Sequence, residues 1–135
     1  MTTAVARAVT VTMLEEFGDA WNRHDADGIV GCFSEAGTYS DPTTGGSLQG
    51  PAIGAYAAGL WASFPDLRFE IVSSDEASDG VIAAQWMMLG TNDGSMFGLP
   101  PTGKPIELPG ADFVNVRDDR IESVVGYFDL NGSTP

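Results

Sequence analysis

The chain has 135 residues, of which 43% are hydrophobic, enough for one domain with its own core and too many for a globally disordered chain. The formal net charge is −13, with 6 basic residues against 19 acidic ones, so no basic surface is available to neutralise phosphates. Nucleic acid and anionic membrane surfaces are therefore not expected partners.

Residues 1–9 read as a loose tail. Thr12 and Glu15 have the spacing of a capping box, and Met13, Leu14, Phe17, Ala20 and Trp21 follow at helical spacing. A first helix is predicted over 13–23. Asp25 or Asp27 then caps a short second helix carrying Ile29, Val30 and Phe33, so the two helices form a hairpin-like pair. Residues 37–41 read as a short strand, stopped by Pro42 and the turn-rich TTGGS. Pro51 opens a third helix with the apolar stripe Ile53, Tyr56, Ala57, Leu60, Trp61 and Phe64, and Pro65 ends it.

The remainder reads as β. Leu67, Phe69 and Ile71 alternate with Arg68 and Glu70, and Asp79-Gly80 marks a turn. Residues 81–90 form a long apolar run suited to a central strand, with Trp86 sharing a face with Ile82, Ala84 and Met88. Residues 91–105 read as a loop that includes the Gly98 to Gly103 turns. A strand over 106–116 follows, then an Asp118-Asp119 turn, a last strand over 121–130 and a mobile tail, NGSTP. Three helices ahead of a strand meander predict an α+β domain: a strongly curved antiparallel or mixed sheet wrapped around a long N-terminal helix. The open end of such a cone is a ligand pocket. One domain is expected over 1–135, with its ordered core at about 10–130.

The strand over 106–116 carries the most informative residue. Ile106, Leu108, Asp112, Val114 and Val116 share one face, and Glu107, Phe113 and Asn115 the other. Asp112 thus stands in an aliphatic row, where an ionised carboxylate is costly unless paired, hydrogen-bonded or protonated. Such a position is a functional candidate. A bulge at Pro109-Gly110 would turn it to the opposite face.

Several stretches in this order carry a resemblance: AWNRHDADGIVGCF, YSDP, SLQGPAIGAY, FPDLRFEI, GLPPTGKPI and ADFVNVRDDRIESV. From about Met13 to Asp129 the chain resembles the SnoaL-like polyketide cyclases of the nuclear-transport-factor-2-like superfamily. TYSDP and PGADF also resemble the two acid-bearing segments of ketosteroid isomerase. The resemblance implies an enzyme without cofactor or metal, a cyclase or isomerase acting on an apolar cyclic or polyketide-like carbonyl compound. Asp112 matches the cyclases' general acid/base and the isomerase's protonated aspartic acid, which is a worked case of pKa tuning. Asp41 matches the isomerase's general base. A homodimer is expected on the same ground. The chain departs from these families at four positions. Phe17 stands where the isomerase has its oxyanion tyrosine, and Ser40, Asn92 and Asn115 stand where the cyclases often have histidine, histidine and arginine.

Beside Asp112 and Asp41, the substrate-binding candidates are Phe17, Tyr39, Trp61, Trp86, Met88 and Tyr127. Each has a plain structural alternative: Asp-Pro starts turns, and Trp61 and Trp86 fit a core. Met87, Met88 and Met96 suit an adaptable wall or ordinary packing. Tyr39, Tyr56 and Tyr127 are the phenols able to replace the missing oxyanion donor, with Tyr127 favoured for lying beside the key strand. His24 and Cys32 are the only residues of their kinds, which leaves no zinc constellation. His24 is expected to cap a helix joint and Cys32 to pack inertly. The lone cysteine excludes an internal disulfide, and no apolar run reaches a membrane span or a signal-peptide core, which predicts a cytoplasmic protein. Two rival readings remain: an epoxide-hydrolase-like enzyme, which would need Arg68 or Arg117 between carboxylates, and a non-catalytic ligand-binding or dimerisation module.

Overall fold

The computed structural model describes the backbone over residues 3–94 and 100–129, with side chains described from residue 12 onward. Helix α1 spans Thr3–Asn22, α2 Ala26–Gly31 and α3 Pro51–Ser63. The strands are β1 (Phe33–Ser40), β2 (Leu48–Gln49), β3 (Arg68–Ser78), β4 (Val81–Thr91), β5 (Pro105–Arg117) and β6 (Arg120–Phe128). They form one open sheet in the order β2-β1-β6-β5-β4-β3, antiparallel except where β1 runs parallel to β6. The domain is α+β, the class the pattern predicted.

Helix α1 begins about ten residues before its expected start, so most of the supposed loose tail is helical. No Gly or Pro interrupts residues 3–17, and a capping-box spacing inside an unbroken run has no free N-terminus to cap. Phe33 opens β1 rather than closing α2. Asp25 does cap α2, its carboxylate accepting the Gly28 N–H at 2.9 Å. The NGSTP tail and Met96 lie outside the described residues.

The buried stripe of α1, Met13, Leu14, Phe17, Ala20 and Trp21, packs on the sheet. Phe17 meets Phe33 of β1 edge-on at 5.7 Å, and Trp21 meets Phe69 of β3 at 5.4 Å. One helix face thus touches strands near both ends of the sheet, which requires the sheet to curve around it. Asn22 pins the edge: its amide donates to the Phe69 carbonyl at 3.1 Å and accepts the Phe69 N–H at 2.8 Å, like a short extra strand.

Strands β4 and β5 pair without a break from Val81↔Asn115 to Thr91↔Pro105, so Pro109-Gly110 introduces no slip. Ile106, Leu108, Val114 and Val116 are buried, Phe113 faces outward, and Asp112 stays on the inner face. Asp118 and Asp119 both take positive φ (52° and 62°), the conformation that lets a two-residue turn follow the right-handed twist of its strands.

Candidate functional site

Asp112 lies opposite Ala84 on β4 and Gly126 on β6. Its neighbours on both sides are therefore too small to fill the sheet face, and a cavity remains above the carboxyl. Leu14, Phe17, Gly18 and Trp21 of α1 roof it, and Tyr56 and Leu60 of α3 flank it. Tyr39 and Asp41 line one side, and Phe69, Ile71, Ala84, Trp86, Met88, Leu108 and Phe128 line the rest. Ile71, 49% exposed, forms part of the rim. The cavity is partly open to solvent and its volume is about 50 Å³, room for roughly one or two waters. A larger ligand enters only if rim side chains such as Ile71 swing aside.

The two carboxylates differ in how they are solvated. Asp41 accepts four hydrogen bonds. Its Oδ2 takes the Tyr39 hydroxyl at 2.8 Å and the Tyr56 hydroxyl at 2.6 Å, and its Oδ1 takes the Thr43 N–H at 2.7 Å and the Thr43 hydroxyl at 2.6 Å. The Thr43 contacts form an Asx turn, the ordinary use of an Asp-Pro start. Burial, and the Asp41 charge that accepts their hydrogen bonds, hold both phenols well above the usual tyrosine range. Tyr39 and Tyr56 are thus committed to Asp41.

Asp112 has no such shell. It is half-buried, and its remaining open surface lines the cavity. Desolvation is the largest influence on it, the nearby Trp86 N–H partly offsets that by favouring the anion, and the Asp41 charge adds to the rise; its pKa is pushed up to about 7. The Trp86 indole nitrogen nevertheless falls short of hydrogen-bond geometry with any partner. We take the contact as electrostatic proximity rather than a formed bond. A carboxyl titrating near neutrality can both take and return a proton.

Of the expected site residues, Asp112, Asp41, Phe17, Tyr39, Trp86 and Met88 come together around the cavity. Trp61 does not: it packs edge-on against Trp21 at 5.8 Å and stacks on His24 at 4.8 Å, outside the lining. Tyr127 does not either. It pairs with Ala111, points outward at 57% exposure and meets Phe113 edge-on at 5.9 Å. Its physical reason is a bulge: Arg117↔Arg120 and Val116↔Ile121 set one register, but Asn115 pairs with Ser123, which shifts every later residue of β6 to the other face. His24 sits at the α1–α2 joint with φ 56°, its Nε2 donating to the Leu67 carbonyl at 2.8 Å. Cys32 is buried, which raises its thiol pKa.

Sequence reasoning missed two glycines that shape the site. A Cβ on Gly126 would stand 2.9 Å from the Asp112 Oδ1 and 3.4 Å from the Asp41 Cβ. A Cβ on Gly110 would overlap the six-membered ring of Trp86, so the indole packs against bare backbone there. Each is a glycine paired across the sheet with a residue that the strand pattern had already marked. Among the described residues no His, Cys, Asp or Glu cluster has the makings of a metal site, and no helix is long and apolar enough to cross a membrane.

The SnoaL-like domain family matches the chain over residues 14–124. This chain belongs to the SnoaL-like domain family. No curated protein matches it in sequence. Among solved structures it is similar to AclR from Streptomyces galilaeus, a proposed hydroxylase, with TM-score 0.79 and 21% identity over 93% of this chain and 92% of that one. It is also similar to IdmH from Streptomyces antibioticus, a proposed polyketide cyclase, with TM-score 0.74 and 21% identity over 92% and 94%. A Catenulispora acidiphila protein with a ketosteroid isomerase-like fold, solved in complex with trimethylamine, gives TM-score 0.77 and 20% identity over 90% and 88%. At these identities the likeness is one of fold.

Proposed function

We propose that this SnoaL-like protein is a cofactor-independent acid/base enzyme, a cyclase or isomerase acting on an apolar carbonyl compound. The observation that carries the reading is Asp112, a carboxyl in an aromatic-lined cavity whose pKa is pushed up to about 7. As the anion, Asp112 takes a proton from the carbon next to the carbonyl, and the electron pair moves to give an enolate. The enolate carbon then either adds to a second carbonyl carbon of the same molecule, whose π pair moves to its oxygen and takes the proton back from Asp112, or the enolate is protonated by the acid just formed at another carbon of the conjugated system. Asp41 acts through Asp112: held by four donors, it raises the proton affinity of its neighbour. An epoxide-opening relay is less well supported, because Arg68 and Arg117 are surface residues paired with Glu70 and Glu122.

The test is deuterium uptake from D2O at the α-carbon of cyclic ketones, followed by proton NMR. Asp112→Asn should slow uptake by at least about 100-fold, and the wild-type rate should rise through about pH 7 as the anion forms. Equal uptake by both proteins rules out Asp112 as the base.

A second reading, a binding module without turnover, is supported by the small cavity volume of about 50 Å³. The relative solved with trimethylamine holds a very small ligand. Native mass spectrometry of the purified protein, with and without small amines, distinguishes it: a retained adduct in a protein that exchanges no ketone favours binding alone.

A further inference from the structure

Helix α1 runs over 20 residues, Thr3–Asn22, and Gly18 lies inside it. A glycine inside a helix weakens it relative to alanine, because it adds backbone freedom to the unfolded chain. Two other helix glycines have a steric reason for their place. A Cβ on Gly28 of α2 would stand 2.5 Å from the Asp25 carboxylate, and one on Gly54 of α3 would stand 3.1 Å from a Val30 methyl. Gly18 has no such reason, since a Cβ there meets nothing within 4 Å. Its position is nevertheless on the inner face of α1. Leu14 and Phe17 lie four residues and one residue before it and Trp21 three after, and all of them line the cavity together with Gly18. The three side chains are buried, whereas Gly18 is partly exposed. At this turn the apolar stripe carries no side chain, and the roof of the cavity is bare backbone beside an opening.

We infer that Gly18 is a specificity-determining residue: it keeps open a gap in the roof through which a ligand larger than the cavity extends to solvent while its carbonyl end stays beside Asp112. The inference rests on the acid/base reading for the chemistry, but its claim about ligand shape concerns binding alone. A cavity of about 50 Å³ holds roughly one or two waters, too little for a whole ring system. The rest of a cyclic substrate must therefore lie outside it. On either side of the gap Leu14, Phe17 and Trp21 fill the roof, so a ring passing there would have to displace a buried side chain. Over Gly18 it displaces none, and it covers a turn of backbone that no side chain covers. The half-exposed Ile71 supplies an apolar rim to the same cavity. The substrate class follows: a carbonyl compound built on a flat, fused apolar ring system rather than a compact ketone. The helix gives up some stability at Gly18, and ligand contact is what the vacancy supplies in return.

The probes are 1-tetralone, a fused-ring ketone, and acetone. Binding is read by saturation transfer and turnover by α-deuterium exchange in D2O, on wild type, Gly18→Ala and Gly18→Leu. Gly18→Ala fills the helix position without a clash, and its Tm should rise by about 2 to 4 °C. Gly18→Leu puts a side chain in the gap. It should bind 1-tetralone at least about tenfold more weakly than wild type, and the ratio of kcat/KM for 1-tetralone over acetone should fall by a similar factor, carried by KM. Should Gly18→Leu fail to fold, Gly18→Ala decides, because its methyl group already takes part of the gap and should weaken 1-tetralone binding by about threefold. A folded Gly18→Leu protein that binds 1-tetralone like wild type overturns the inference. So does a loss of the same size on both ketones, a lowered Tm in Gly18→Ala, or a wild type that does not bind 1-tetralone. If 1-tetralone binds, is weakened by Gly18→Leu and yet neither ketone exchanges deuterium, the acid/base reading fails and the role of Gly18 in ligand shape survives.

Discussion

Replacing Asp112 by Asn removes a titratable group without changing the outline of the side chain, and its effect on stability should depend on pH in one direction. A carboxyl with a pKa of 3.8 when unfolded and about 7 when folded keeps its proton in the native protein over a range where the unfolded chain has released it. The folded state binds more protons in that window, so the contribution of Asp112 to stability is intact below about pH 4, is lost as pH rises towards 7, and levels off above. The full gap corresponds to about 4 kcal/mol. Between pH 5 and pH 8 about 2.5 kcal/mol of it accrues, and the partial exposure of the carboxyl trims this to about 2 kcal/mol. Both conditions lie above the pI of about 4.1. Urea unfolding followed by tryptophan fluorescence would be run on both proteins at both pH values. Whatever constant difference the amide itself introduces cancels between them. Asp112→Asn should gain about 2 kcal/mol on the wild type from pH 5 to pH 8, equivalent to about 6 °C in Tm. A difference that does not change with pH, or that moves in the wild type's favour, would show that the Asp112 carboxyl is solvated normally, and the catalytic argument would go with it.

Gly126→Ala should fold with a Tm within a few degrees of wild type, because the one close approach of its Cβ, 2.9 Å, is to the far end of a side chain, but it should displace the Asp112 carboxyl. A carbon-13 carboxyl titration that leaves Asp112 unchanged would contradict that contact. Asp41→Asn should lower the pKa of Asp112 while leaving it above the ordinary carboxylate range, since burial is the larger cause and the Asp41 charge the smaller; the same titration checks it, and a rise would be the wrong sign. A homodimer through the outer sheet face, where Phe113 and Tyr127 are 42% and 57% exposed, is proposed from the family resemblance and this apolar pair. Sedimentation should then find Phe113→Asp monomeric and the wild type dimeric, and equal masses would discard this interface.

The inner face of β5 was legible because strand alternation has a period of two, and nothing in 106–116 disturbs its pairing with β4. The same rule failed for Tyr127. From the Asp118-Asp119 turn alone, continued register places Tyr127 opposite Gly110, on the Asp112 face. Glu122, the unpaired residue of the bulge, moves it to the outside, and no local pattern announces a bulge there. Trp61 shares the helical stripe of α3, but which neighbour a stripe residue meets depends on how α1 and α3 cross, and sequence spacing carries no information on that. Asp41's ligands were half legible: the Asx turn follows from Asp-Pro-Thr, whereas Tyr56 arrives from another element, 15 residues along the chain.

The two aspartates show why closeness in a pocket does not by itself assign acid and base. Both line the same cavity, yet they are solvated by different means. Asp41 exchanges its water for two phenols and both polar groups of Thr43. Asp112 loses water to Ala84, Gly126 and the aromatic wall and receives only a nearby indole in return. The fold thus places its hydrogen-bond donors on one carboxylate and leaves the other short of them. The undersupplied carboxyl keeps a proton that it can give and recover near neutral pH. With Tyr39 and Tyr56 tied to Asp41 and no hydroxyl on Phe17, no phenol is left to donate to Asp112 from the lining of the cavity.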